Sequence, residues 1–178
     1  MAHNGEIDLT SPELYINREL SLLAFNRRVL AQAQDPETPL LERLRFLCIA
    51  SSVLDEFFEI RVAGLKQQQA VGATQRGADN LSSSEQLRHI RGVAEELIDE
   101  QYRVLNEDLL PQLDLQGIRI LDAEDWNDRQ RQWLKRYFKK ELAPIMSPIA
   151  LDPAHPFPQP LNKSLCFIVG LEGQDAFG

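Results

Sequence analysis

The sequence predicts a mainly α protein: an antiparallel helical bundle over residues 1–110, followed by the opening of an α+β domain over residues 111–178. Three observations carry this. A run without Pro or Gly from Leu40 to Ala63 repeats apolar residues at helical spacing. A second amphipathic stretch opens at Ser82. Beyond Gly117 the chain becomes β-branched, then dense in proline.

Each element follows from local chemistry. Ser21 to Ala33 carries Leu22, Phe25, Val29 and Leu30 on one side and stops before Asp35-Pro36. Thr38-Pro39 is a start signal, with Thr as cap and Pro at the first helical position. The helix it opens reaches roughly Ala70. Leu44, Leu47, Ser51, Leu54, Phe58 and Leu65 form its apolar face. Gly64 costs about 1 kcal/mol relative to Ala, which predicts a bend or a close helix crossing there. Val71 to Asn80 is a loop containing Gly72 and Gly77.

Ser82 and Glu85 have capping-box spacing. Leu87, Ile90, Ala94, Leu97, Gln101, Val104 and Asp108 follow as a seam, widened by Ile98 and Leu105. The short loop predicts antiparallel packing on the preceding helix, and Pro111 predicts its end. Gly117 to Leu121 reads as a strand, Asp128 to Leu142 as a helix, and Leu165 to Leu171 as an apolar strand. Between them, Pro144, Pro148, Pro153, Pro156, Pro158 and Pro160 impose an extended loop. No partner strand follows the last one, so the second domain is expected to be incomplete.

Bulk properties narrow the function classes. Apolar residues make up 43% and charged residues 26%, which supports a packed core over disorder. A net charge of −8 argues against a general affinity for nucleic acid. No apolar run is long enough to span a bilayer, and residues 1–6 lack a signal pattern. Cys48 and Cys166 lie far apart, outside metal-ligand spacing. They read as reduced, buried side chains in a cytoplasmic protein, with peripheral membrane association left open.

Few residues suggest chemistry. Asp55, Glu56 and Glu59 admit an acid–base or Mg²⁺ reading, but a solvated face or pairing with Arg43, Arg45 or Arg61 is preferred. Arg131, Lys135 and Lys139 form a basic stripe at four-residue spacing, with Trp133 and Tyr137 on a neighbouring face. Polyanion contact and a surface helix packed by its aromatic side are both open readings. His155, near Asp152 in a Pro-rich loop, is given a structural hydrogen-bonding role. His89 is expected to be exposed, and His3 lies in the polar lead. There is no phosphate-binding Gly loop, no nucleophile elbow and no zinc pattern. The residues alone assign no catalytic or metal-binding side chain.

The wording of the sequence says more. Tyr15-Ile16-Asn17-Arg18-Glu19-Leu20-Ser21, Phe25-Asn26-Arg27-Arg28-Val29-Leu30, Glu42-Arg43-Leu44-Arg45-Phe46-Leu47 and Leu54-Asp55-Glu56-Phe57-Phe58 occur in order. Ala143-Pro144-Ile145, Leu151-Asp152-Pro153-Ala154-His155-Pro156-Phe157-Pro158 and Leu161-Asn162-Lys163-Ser164-Leu165 come after them. Together they resemble the amino-terminal domain and the start of the head domain of polyphosphate kinases of the first, histidine-phosphorylating family. The resemblance implies reversible transfer of the terminal phosphate of ATP to polyphosphate, with Mg²⁺, through a phosphohistidine beyond Gly178. It implies a lid over the adenine, ATP/ADP and inorganic polyphosphate as partners, and homo-oligomerisation. It gives His155 no catalytic role. Family members place an adenine-contacting Asn where this chain has Val53, and Val can only pack on the ring. Cys166 stands where Asn is frequent. A non-enzymatic helical dimerisation or interaction module is the alternative reading.

Overall fold

A computed structural model describes residues 8–74, 76–151, 156–161, 164–170 and 172. The chain divides into two compact units, residues 1–120 and 121–178.

The first unit is a bundle of long helices. Helix α1 spans Arg18–Gln34. A second long helix comprises α2 (Leu40–Glu56), a π-helical segment π1 (Phe57–Val62) and α3 (Ala63–Ala70). A third comprises α4 (Ser83–Arg103), π2 (Val104–Leu109) and α5 (Leu110–Leu115). Cross-helix bonds fix the directions. Asn26 reaches the Ala50 carbonyl and Arg43 the Ala33 carbonyl, so α1 and α2 are antiparallel. Gln69 bonds Ser84 while Arg43 bonds Gln112, so the second and third long helices are also antiparallel. Arg27 meets Glu96 and Gln34 meets Glu100, which makes α1 and α4 parallel.

Local signals explain most boundaries. α1 begins three residues before the expected Ser21, because the Asn17 side chain accepts from the Glu19 and Leu20 amides. α2 is preceded by Pro39 rather than capped by Thr38; the Thr38 amide bonds back to the Asp35 carbonyl instead. The Ser82–Glu85 capping box is present. Asn80, Gly72 and Gly117 adopt positive φ at 56°, 67° and 79°, where the chain reverses after a helix or enters one.

The core is made by Leu23, Leu30, Ala33, Leu47, Ala50, Leu54, Phe57, Val62, Leu65, Ile90, Ala94, Leu97, Val104, Leu109 and Leu113. This differs from the expected faces in an instructive way. Ser51, Phe58 and Phe25 lie on the outside, and Arg28 covers the Phe25 ring at 5.6 Å. Continued α-helical spacing from Leu54 would bring Phe58 and then Arg61 to the core. Each π segment admits one extra residue, which rotates the remainder of the helix about its axis. Phe57 lies an ordinary three residues after Leu54, but the next core position comes five residues later, so Val62 enters the core and Arg61 leaves it. The same slip at π2 replaces Asp108 with Leu109 at the seam. At each slip, a charged residue avoids burial and its apolar successor takes the place.

Gly64 is not a close crossing: a Cβ built there would meet nothing within 4 Å. The irregularity sits one turn earlier, in π1. Pro111 does not end the third helix either. The π turn before it, where the Leu110 amide bonds the Leu105 carbonyl, widens the backbone ahead of the proline ring. α5 then continues to bury Leu113.

In the second unit, α6 (Asp128–Tyr137) is capped by a reciprocal Asn127–Gln130 box and runs into π3 (Phe138–Leu142). Neither expected strand forms among the described residues of 117–121 and 165–171. Residues 118–121 and 165–170 form no regular element, and no ladder defines them as strands. Both cysteines are exposed, contrary to expectation. Cys48 follows buried Leu47 on the turn that faces out, and Cys166 lies in a segment without regular structure. No helix among the described residues is long and apolar enough to cross a membrane.

Candidate functional site

Val53 lies one residue before the Leu54-Asp55-Glu56-Phe57-Phe58 run, in the last turn of α2. It is half-buried. Ile49, four residues earlier and on the same face, is 41% exposed. Beyond Val53, the helix passes into π1, with Phe57 buried three residues after Leu54 and Phe58 and Ile60 exposed. The Phe57 and Phe58 rings meet edge to face at 5.8 Å, so the exposed ring is anchored on the core one. The result is an apolar strip on a helix whose backbone is locally widened. It can pack against a flat ring, and Val53 itself offers neither donor nor acceptor.

The polar neighbourhood is organised by Glu19. Its side chain is only 4% exposed, yet it pairs with Arg18 at 2.9 Å and Arg61 at 4.0 Å. The Arg61 contact runs from π1 to the first turn of α1 as a long ion pair, with no hydrogen bond to the buried Glu19 Oε2. Asn17, which caps that turn, also donates to Asp79 in the loop before α4. The start of α1, π1 and the 71–82 loop are thus linked by side chains. This linkage had no signal in helical periodicity, although Asn17, Arg18 and Glu19 all belong to the resemblance motif.

Asp55, Glu56 and Glu59 are exposed. Asp55 and Glu59 have interaction partners of their own. The arginines named as their candidate partners are engaged elsewhere as well: Arg45 with Glu42, Arg61 with Glu19, and Arg43 with Asp108. Arg43 is only 3% exposed, and also donates to the Ala33 carbonyl at 2.8 Å and to Gln112 at 3.3 Å. It is a structural cation. Among the described residues, no three His, Cys, Asp or Glu side chains converge to hold a metal ion.

On α6, Arg131 donates to the carbonyls of Trp126 at 3.0 Å and Glu124 at 3.5 Å. Trp133 and Tyr137 stack on each other, 5.2 Å apart and 11° from parallel, and both are exposed. Two residues of helix place Trp133 about 200° around the axis from Arg131. The ring row therefore lies nearly opposite the Arg131 and Lys135 row rather than beside it. His89 is exposed on α4. His3, Asp152 and His155 lie outside the described residues.

Comparison with known proteins gives a consistent result. Residues 15–121 match the model of the polyphosphate kinase N-terminal domain, and residues 129–178 that of the polyphosphate kinase middle domain. The chain is 53% identical over 163 residues to a polyphosphate kinase of Burkholderia ambifaria, covering 92% of this chain and 24% of the relative. It is 55% identical over 165 residues to a polyphosphate kinase of Pseudomonas aeruginosa, covering 93% and 24%. The chain spans about a quarter of the length of the curated relatives it matches. No solved structure matches.

Proposed function

This chain belongs to the polyphosphate kinase family, and from that membership we propose that it forms the amino-terminal, nucleotide-facing part of an ATP:polyphosphate phosphotransferase. The single observation that carries this reading is the ordered match of two family domains along one chain. The reaction is reversible transfer of the terminal phosphate of ATP to inorganic polyphosphate, through a phosphohistidine carried by residues outside this chain. ATP supplies the phosphoryl group and Mg²⁺ neutralises its charge during transfer. Among the described residues no three His, Cys, Asp or Glu side chains converge to hold Mg²⁺, and none of them is assigned to it.

The task of this chain is to cover the base. Val53, supported by the apolar strip of Ile49 and Phe58, packs on the purine face, and specificity there rests on shape rather than on a hydrogen bond. The Glu19–Arg61 pair holds π1 against α1 and so keeps that strip in place. Water exclusion by such a lid strengthens every charge interaction beneath it. The family resemblance also supports self-association of the whole enzyme in the cytoplasm.

The test is synthesis of polyphosphate from ATP by the full-length enzyme, followed by capture of an acid-labile, base-stable phosphoenzyme. Synthesis with phosphohistidine is expected. A folded full-length protein without ATP-dependent synthesis would favour the interaction-module reading.

A further inference from the structure

Between residues 129 and 140 the chain has Arg129, Arg131, Lys135, Arg136, Lys139 and Lys140, and no acidic residue. Acidic Asp122, Glu124, Asp125 and Asp128 all precede them, and Glu141 follows. Lys140 is paired with Glu141 at 3.1 Å. Arg129, Lys135, Arg136 and Lys139 make no ion pair with the described residues. Arg131 is oriented by its two carbonyl contacts, which use up some of its donors but none of its charge.

Arg131 and Lys135 lie one turn apart on one side of α6, and Lys139 continues the row into π3. Each step rises about 6 Å, so the row spans about 12 Å. Five like charges held together with no ion pair among the described residues are costly unless a polyanion or salt screens them. Two observations decide which polyanion. The Trp133 and Tyr137 rings are stacked on each other, so each offers only its outer face to a base. The rings also lie nearly opposite the Arg131–Lys135 row, so one strand cannot use both at once. A chain of phosphates without bases needs only the cations.

We infer that the Arg131–Lys135–Lys139 row is a contact site for linear inorganic polyphosphate, distinct from the base-covering strip around Val53. The site would hold a length of substrate or product chain away from the reacting end by charge-assisted hydrogen bonds. The inference takes its ligand from the family reading, but binding can be measured without any catalysis.

The experiment titrates the 178-residue chain with polyphosphate of defined length at low salt, with orthophosphate and a single-stranded DNA oligomer as comparison ligands. Variants are Lys135→Glu/Lys139→Glu, the neutral Lys135→Gln/Lys139→Gln, and Trp133→Ala, each checked for helix content. Polyphosphate is expected to bind more tightly than either comparison ligand, with affinity falling as salt rises. Each lysine removed should weaken it about tenfold, and Trp133→Ala should leave it within twofold. The inference is overturned by no polyphosphate binding, by binding that survives both double variants, or by preferred DNA binding that is lost in Trp133→Ala. Failure here would leave ATP-dependent synthesis by the full-length enzyme untouched. Failure of that synthesis would conversely not alter the measured binding.

Discussion

Replacing Arg43 with Met tests how the bundle is held together. The side chain is buried and bonds three elements at once: the Ala33 carbonyl at the end of α1, Asp108 in π2 and Gln112 in α5. Met fills the aliphatic volume, so little of the effect should come from a cavity. What remains is a carbonyl and a carboxylate that lose their donor. Removing one member of a buried pair costs about 3–5 kcal/mol. Asp108 retains 38% side-chain exposure, so water recovers part of its solvation and the lower end applies, about 3 kcal/mol. For a chain of this size that corresponds to a fall in Tm of about 10 °C. Thermal and urea denaturation followed by circular dichroism would measure it. Asp108→Asn alone and in combination completes a cycle in which the two changes should be coupled by about 1 kcal/mol or more. A loss below about 1 kcal/mol for Arg43→Met, or strict additivity with Asp108→Asn, would refute the idea that this arginine clamps the helices.

Two further outcomes are expected. Hydrogen bonds from the Ser82 hydroxyl and amide hold the Glu85 carboxyl below the usual carboxylate range. Its folded value is depressed, so the cap's contribution is fully present above the unfolded value and is lost as pH falls through the folded one. Ser82→Ala should cost about 1 kcal/mol near neutral pH, with the difference from the parent shrinking in acid; a pH-independent difference in denaturation midpoint would contradict this. The 178-residue chain alone should neither make polyphosphate from ATP nor bind ATP at micromolar affinity, because no metal-holding cluster is assembled among its described residues and the base-covering strip supplies apolar packing only. Calorimetric binding in the micromolar range, or detectable synthesis, would overturn that.

The long helices were legible because three- and four-residue apolar steps, a capping box and a Gly-containing loop all pointed to the same elements. The register after Phe57 and after Val104 was not. A seam counted at constant helical pitch cannot anticipate an inserted residue. The sequence does hold a signal for it: Arg61 and Asp108 occupy seam positions, and each is followed at once by an apolar residue, Val62 and Leu109. The charges then find Glu19 and Arg43 across the bundle, pairings that no local spacing encodes. Strand formation is not seen among the described residues of 117–121 and 165–171, because β-branched composition does not supply a pairing neighbour. Val53 is a different case. No periodicity marks it, and only the resemblance motif singles it out.

The most direct test therefore bears on Val53. The full-length enzyme and its Val53→Asn variant should be compared for kcat/KM with ATP and with GTP. An added Asn that reaches the adenine contributes about 1 kcal/mol, so the ATP-over-GTP preference should rise about fivefold, mainly through KM. An unchanged preference in a fully folded, active variant would contradict the assignment of this helix to the base.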